Sequence, residues 1–177
     1  MHRLFAAIRP PEHIRDILLD AMDDSADFRW QDDEQLHLTL RFMGEVDRHV
    51  AADLSDALGR IRAAPFQLRI SKVGTFDHRA AGALWAGVEP KAQVATLAAK
   101  IERVCQQAGL EPEQRAFHPH ITLARWKGRR TIELADFLDR RRSLTSEPFD
   151  VREFLLVESR LSRHGAHYEE IASYSLG

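Results

Sequence analysis

The chain has 177 residues and a formal net charge of −2, with 44% hydrophobic and 29% charged residues. This composition is typical of a globular protein with a core, and it excludes a protein that binds nucleic acid through an overall basic surface. The sequence contains no apolar run of about 18 residues, so we expect no membrane-spanning helix. The single cysteine, Cys105, excludes an intrachain disulfide and favours a reducing compartment, which we take to be the cytoplasm.

Short apolar stretches alternate with helical patterns along the chain. The alternating or apolar segments predict strands at residues 4–8, 37–43, 66–73, 84–88, 120–126, 149–158 and 167–173. Gly44 is expected to end the second of these strands. Helical spacing of apolar residues predicts helices at residues 10–24, 50–61, 91–108 and 131–142.

The order of these elements repeats once. The strand at Leu4, a helix and the strand at His37 match the strand at Leu84, a helix and the strand at His120. Neither half has the glycine-rich turn of a dinucleotide-binding fold. We therefore predict an α+β fold over residues 1–177, a single domain of two similar intertwined lobes. Two mainly antiparallel sheets, related by a pseudo-twofold axis, should surround a central cleft, with the helices outside.

The most informative feature is a pair of matching motifs, His37-Leu38-Thr39-Leu40 and His120-Ile121-Thr122-Leu123. None of the other seven histidines has a threonine two positions later. Because residues i and i+2 of a strand share a face, each motif presents an imidazole beside a hydroxyl and buries its apolar residues. A pseudo-twofold axis would let the two imidazoles face each other across a gap.

Two such histidines can act as a matched acid and base. Histidine titrates near pH 6.5, so one neutral and one protonated copy can coexist near neutrality. One can remove a proton from an attacking water while the other protonates the leaving oxygen, an arrangement that suits in-line displacement at phosphorus. The hydroxyls of Thr39 and Thr122 would donate hydrogen bonds to the non-bridging phosphate oxygens. This scheme requires neither a metal nor another cofactor.

Two other kinds of site are less well supported. His118 and His120 form a His-x-His pair that suggests a metal site, but Pro119 separates them and no third ligand lies nearby. A serine hydrolase is disfavoured because the sequence contains no G-x-S-x-G elbow.

Residues 115–142 are locally basic, with eight Lys or Arg against three Asp or Glu. Such a segment could bind the end of a polyanion. For Arg140, Arg141 and Arg142 an equally good interpretation is that they complete a helix at its negative end. The basic residues nearest the second motif are better candidates for function, and they are Arg125, Lys127, Arg129 and Arg130.

Three stretches resemble the RNA 2′,3′-cyclic phosphodiesterases of the 2H phosphoesterase superfamily, which are also named 2′-5′ RNA ligases. They are the run Arg3-Leu4-Phe5-Ala6-Ala7-Ile8, the first motif extended by Arg41-Phe42-Met43-Gly44-Glu45, and Phe117-His118-Pro119 followed by the second motif and Ala124-Arg125. The tail with Glu158-Ser159-Arg160-Leu161, Gly165 and Tyr168 is also similar. Met43 stands where leucine is usual, which is a volume-conserving change.

The resemblance implies hydrolysis of 2′,3′-cyclic phosphate ends of RNA or nucleotides to 2′-phosphomonoesters. It implies that His37 is the proton donor and His120 the proton acceptor, a division that the symmetric motifs alone cannot make. Arg125 would contact phosphate, which requires a bend or bulge after Leu123 because strict alternation would turn it away from His120. Aromatic residues that could stack on a base are Phe5, Phe76 and Trp126, and an equally good interpretation of each is a core residue.

Alternatives to hydrolysis remain open. The same acid and base could run the reverse reaction, the 2′-5′ joining of RNA fragments such as tRNA halves. A non-catalytic module that binds RNA ends is a third possibility, which the presence of both motifs disfavours. No P-loop is present, although a basic cleft could still bind a nucleoside triphosphate. We expect a monomer without metal or membrane partners.

Overall fold

A computed structural model of the chain describes residues 1–78, 80–128, 132–163 and 165–177. Within these residues the strands are β1 (His2–Ile8), β2 (Arg29–Trp30), β3 (Leu38–Val46), β4 (Phe66–His78), β5 (Ala81–Glu89), β6 (His120–Lys127), β7 (Phe149–Val151), β8 (Glu153–Ser162) and β9 (Gly165–Ser175). The helices are α1 (Glu12–Ala21), α2 (Arg48–Leu58), α3 (Lys91–Gln107) and α4 (Ile132–Arg141), and Asp33–Gln35 forms a 3-10 turn. Thr131, the predicted start of the last helix, lies outside the described residues.

The strands form antiparallel ladders in the order β7-β4-β5-β6-β3-β1-β8-β9, with β2 beside β6. Counted outward from the middle, β3-β1-β8-β9 in one lobe matches β6-β5-β4-β7 in the other. The predicted α+β fold with two pseudo-symmetric lobes is confirmed. Leu38 pairs with Ile121, and this pairing joins the two four-stranded halves into one continuous sheet.

The sheet is strongly curled. Strands β7 and β8 lie six places apart in the sheet order, which corresponds to about 29 Å in a flat sheet. Only Arg152 separates them in the chain, and one residue cannot span that distance. The sheet therefore bends into a half-barrel. The predicted single strand at residues 149–158 is wrong because this segment contains two strands that belong to opposite lobes.

The helices repeat with the strands, since α1 and α3 follow β1 and β5 while α2 and α4 follow β3 and β6. Each helix buries an apolar stripe, such as Ile14 and Leu18 of α1, which are both fully buried. These side chains join one core with the apolar residues of both motifs, Leu38, Leu40, Ile121 and Leu123. The helices and the core cover one face of the sheet, and the other face is left to form the cleft.

Two local features differ from the prediction. Gly44 does not end β3 but lies inside it with φ 74°, at a point where the register between β1 and β3 shifts. Strand β2 was not predicted, because two residues are too few to show any periodicity. The other predicted elements are present with shifted ends. Among the described residues, no helix is both long and apolar enough to cross a membrane.

Candidate active site

The two motifs meet where the lobes join. Leu38 and Ile121 are paired across the antiparallel β3–β6 contact, and both side chains are buried. This register places His37 opposite Thr122 and Thr39 opposite His120. Because opposite residues of an antiparallel pair share a face, all four polar side chains lie on the cleft side of the sheet.

The two imidazoles are held in the same way. Nδ1 of His37 lies 2.7 Å from the carbonyl oxygen of Gln35, and Nδ1 of His120 lies 2.6 Å from the carbonyl oxygen of His118. A carbonyl can only accept a hydrogen bond, so each Nδ1 carries the proton and donates it. The free atom of each ring is therefore Nε2, which can accept a proton when the ring is neutral and donate one when it is charged.

Aromatic rings fix the orientation of both histidines. The His37 ring packs on Phe5 with centroids 4.8 Å apart, and Tyr168 meets it edge-on at 5.1 Å. The His120 ring is met edge-on by Phe76 at 4.8 Å, with Trp85 further away at 6.2 Å. The two imidazoles thus have few alternative orientations, as a positioned acid and base require.

The environment favours the neutral form of both imidazoles. Burial lowers the pKa of His37 to about 4, against the raising effect of the Gln35 carbonyl, and the charges of His120 and Arg125 lower it further. Burial also lowers the pKa of His120, with contributions in the same direction from the charges of His118 and Arg125. Both rings are therefore neutral at pH 7 in this environment.

The two threonines are available to a ligand. Thr39 and Thr122 are partly buried. Neither hydroxyl takes part in a hydrogen bond with another of the described residues. Each therefore has a free donor on the cleft side, beside the imidazole of the opposite motif.

A bulge in β6 turns Arg125 toward the cleft. Leu84 pairs with Ala124 and Trp85 with Thr122, so Leu123 is an extra residue in β6. After this residue the alternation changes, and Arg125 is exposed between buried Ala124 and buried Trp126. The irregularity that the sequence required is present. The other motif has the same feature, because Ala6 pairs with Arg41 and Ala7 with Thr39.

The three predicted stacking aromatics have different positions. Phe76 is partly exposed and lies against His120. Trp126 is only 5% exposed and packs edge-on against Phe28 in the core, so its prediction as a stacking platform is wrong. The prediction for Phe5 is also wrong, because Phe5 is 1% exposed and supports His37 from below.

The basic residues after the second motif divide into two groups. Lys127 is exposed near Arg125, whereas Arg129 and Arg130 lie outside the described residues. Arg140 pairs with Asp23 at 3.0 Å, and Nε of Arg141 donates to the carbonyl oxygen of Ala21 at 2.9 Å. These last arginines therefore join the end of α4 to the end of α1, which supports their structural interpretation.

Sequence reasoning missed four residues around the site. The backbone carbonyl of Gln35 accepts the hydrogen bond from His37. The rings of Tyr168 and Trp85 contact the imidazoles of His37 and His120, respectively. Arg29 lies opposite Arg125 in the β2–β6 pair. In register Trp85 is the counterpart of Ala7, because each pairs with the threonine of its motif, so the repeat gave no signal for an aromatic residue there. No group of three or more potential metal ligands occurs among the described residues.

The fold and the site define a bilobal α+β protein with a duplicated histidine–threonine centre. The profile of the 2′-5′ RNA ligase superfamily matches residues 8–163. The chain is 34% identical over 143 residues to an RNA 2′,3′-cyclic phosphodiesterase of Aeropyrum pernix, covering 79% of this chain and 81% of that one. It is 27% identical over 173 residues to a protein of the same name from Archaeoglobus fulgidus, covering 96% and 97%. The chain belongs to the 2′-5′ RNA ligase superfamily.

Solved structures agree with this assignment. Escherichia coli LigT complexed with 3′-AMP has a TM-score of 0.82 and 27% identity, covering 99% of this chain and 98% of that one. LigT complexed with ATP gives a TM-score of 0.76 at 27% identity, with coverages of 99% and 98%.

Proposed function

We propose that the protein hydrolyses 2′,3′-cyclic phosphodiester ends of RNA to 2′-phosphomonoesters by metal-free acid–base catalysis. The proposal is carried by one observation, the matched pair of imidazoles whose Nδ1 atoms are both fixed to backbone carbonyls. The names of the related proteins support the choice of substrate.

The reaction uses the Nε2 atoms as acceptor and donor. Water attacks phosphorus while Nε2 of His120 takes one of its protons. The bond from phosphorus to O3′ breaks, and Nε2 of His37 gives its proton to that oxygen, which leaves the phosphate on O2′. One proton enters the protein at His120 and one leaves at His37, so proton exchange between the two sites and solvent restores the starting state.

The hydroxyls and one arginine complete the centre. Thr39 and Thr122 donate hydrogen bonds to the non-bridging oxygens, where charge is concentrated in the transition state. Arg125 neutralises the phosphate from the His120 lobe. General acid and general base catalysis each contribute about 10²–10⁴-fold to such reactions.

The bound phosphate allows His37 to act as an acid, and the proton that His37 then carries comes from solvent. With a pKa of about 4, this imidazole is neutral near pH 7 when no anion lies beside it, and it could not donate a proton from Nε2. An anion bound next to a poorly hydrated imidazole favours its charged form and raises its pKa. Substrate binding and protonation of His37 are therefore coupled, and the cyclic phosphate enters together with a proton.

A turnover assay with adenosine 2′,3′-cyclic phosphate in the presence of EDTA tests the proposal. The wild-type protein should form the 2′-phosphate, and His37→Ala or His120→Ala should lose this activity with the fold intact. His49→Ala is the matched control, because this exposed histidine lies on α2 outside the cleft. Full activity of either motif variant, or a strict requirement for a metal, would contradict the proposal.

The reverse reaction is the second candidate. An acid–base pair that opens a cyclic phosphate with water can also join it to a 5′ hydroxyl, because the hydroxyl takes the place of water, loses its proton to His120 and displaces O3′, which His37 protonates. Product analysis with cleaved tRNA halves would separate ligation from hydrolysis. A module that only binds RNA ends is disfavoured by the free threonine hydroxyls and the complete pair of imidazoles. For the protein in the cell, we propose a monomer in the cytoplasm, consistent with its single buried cysteine.

A further inference from the structure

Strand β2 breaks the symmetry between the lobes. It pairs with β6 through Arg29 and Trp30, and the amide of Gln31 donates to the carbonyl oxygen of the bulged Leu123 at 2.8 Å. Among the described residues, no strand pairs with β3 in the corresponding way. The second lobe therefore has an added element at the edge of the cleft, and that element contributes Arg29.

Arg29 lies directly opposite Arg125. Opposite residues of an antiparallel pair share a face, and like charges in this arrangement destabilise the pairing. Both side chains are exposed. Among the described residues, neither guanidinium forms an ion pair or a hydrogen bond. Two unneutralised arginines side by side at a cleft have the character of a site for phosphate groups.

The guanidinium of Arg29 lies near the start of the last strand, β9. A Cβ added to Gly165 would lie 2.8 Å from Nη2 of Arg29, so the guanidinium sits close to the start of β9. Burial raises the pKa of Tyr168, and the charges of Arg125, Arg3 and Arg29 oppose this rise. The charge of Arg125 also lowers the pKa of both catalytic imidazoles. Arg125 thus lies beside the reacting centre, whereas the guanidinium of Arg29 extends toward Gly165 at the start of β9.

We propose that Arg29 binds the phosphodiester on the 5′ side of the terminal nucleotide, so that the preferred substrate is an RNA chain rather than a cyclic mononucleotide. This inference rests on the proposed function. Arg125 holds the reacting phosphate, and Arg29 holds the next phosphate along the chain. A cyclic mononucleotide has only the first of these groups.

Kinetics with two substrates test the inference. Adenosine 2′,3′-cyclic phosphate is compared with the dinucleotide ApA that ends in a 2′,3′-cyclic phosphate. The variants are Arg29→Gln, Arg29→Lys, Arg125→Gln and the control Arg60→Gln, which removes the same charge from an exposed position after α2.

The wild type should have the higher kcat/KM with the dinucleotide. Arg29→Gln should lower kcat/KM for the dinucleotide by about tenfold or more, mainly through KM, as expected for the loss of a charge-assisted contact. Turnover of the mononucleotide should fall far less than that of the dinucleotide. Arg29→Lys should retain part of the preference for the dinucleotide. Arg125→Gln should lower kcat/KM for both substrates, and Arg60→Gln should change kcat/KM for neither. With rising salt, kcat/KM for the dinucleotide should fall less steeply in Arg29→Gln than in the wild type, because one screened phosphate contact is lost.

Equal losses with both substrates, or no loss with either, would overturn the assignment of Arg29. A wild-type protein without preference for the dinucleotide would overturn it as well. These results differ from a failure of the proposed function, in which the wild type would turn over neither substrate.

Discussion

Leu38 of one lobe pairs with Ile121 of the other, and the two catalytic candidates are their immediate neighbours in the chain. Both side chains are buried, so the contact that joins the halves of the sheet also sets the separation of His37 and His120. Packing at this point is thus coupled directly to the geometry of the site.

Truncation of a side chain at this contact should lower the free energy of unfolding substantially. Ile121 is fully buried, and we expect Ile121→Ala to lower the free energy of unfolding by about 2–5 kcal/mol, through lost burial and a cavity. Ile121→Val should cost about 0.5–1.5 kcal/mol. Ile132→Ala is the matched control, because Ile132 is 82% exposed and should change stability by less than about 0.5 kcal/mol. Urea denaturation measures all three, and an Ile121→Ala effect as small as that of the control would contradict this role.

Stability should fall in mild acid because of His37. The folded chain keeps this imidazole neutral down to about pH 4, whereas the unfolded chain protonates it near pH 6.5. Between these values the unfolded state binds more protons, so the free energy of unfolding decreases as the pH is lowered. Protonation of His37 in the unfolded chain lowers the free energy of unfolding by at most about 3 kcal/mol. In His37→Asn this part of the dependence should disappear, as measured by urea denaturation at several pH values. Parallel curves for the two proteins between pH 6.5 and 4 would exclude the effect.

The threonine hydroxyls should act on turnover more than on binding. Thr39→Val and Thr122→Val keep the shape of the side chain and remove its donor. We expect kcat to fall by about 10²–10³-fold, the range for loss of one donor to a developing charge, with a smaller change in KM. Thr96→Val is the control, because Thr96 is exposed on α3 and its hydroxyl bonds only the carbonyl oxygen of Ala92. A change confined to KM would assign the threonines to ground-state binding instead.

The sequence could predict the site because the motifs repeat in a fold that also repeats. His37, Thr39, His120 and Thr122 are at matching places in two similar series of elements, and strand alternation is enough to put them on one face. The fold class follows from the same repeat. The repeat does not predict which histidine is the acid and which the base, because both imidazoles bond a backbone carbonyl in the same way.

One bulged residue determines the positions of both Arg125 and Trp126. Strict alternation from His120 would place Trp126 in the cleft and Arg125 in the core. Because Leu123 is an extra residue, Arg125 instead faces the cleft and Trp126 lies in the core. Nothing in the local composition marks this bulge, since it depends on pairing with β5, a strand more than 30 residues away in the chain. Arg29 was missed for a related reason, because β2 is defined only by its partner β6.

The roles of the two histidines are tested most directly by a substrate that needs no general acid. If O3′ of adenosine 2′,3′-cyclic phosphate is replaced by sulfur, the leaving group is a thiolate, which is stable without a proton near neutral pH. With the oxygen substrate both His37→Ala and His120→Ala should be slower than the wild type by about 10²–10⁴-fold. With the sulfur substrate His37→Ala should recover most of the wild-type rate, while His120→Ala should remain impaired. Recovery by His120→Ala instead would reverse the assignment, and wild-type activity of either variant with the oxygen substrate would contradict acid–base catalysis by this pair.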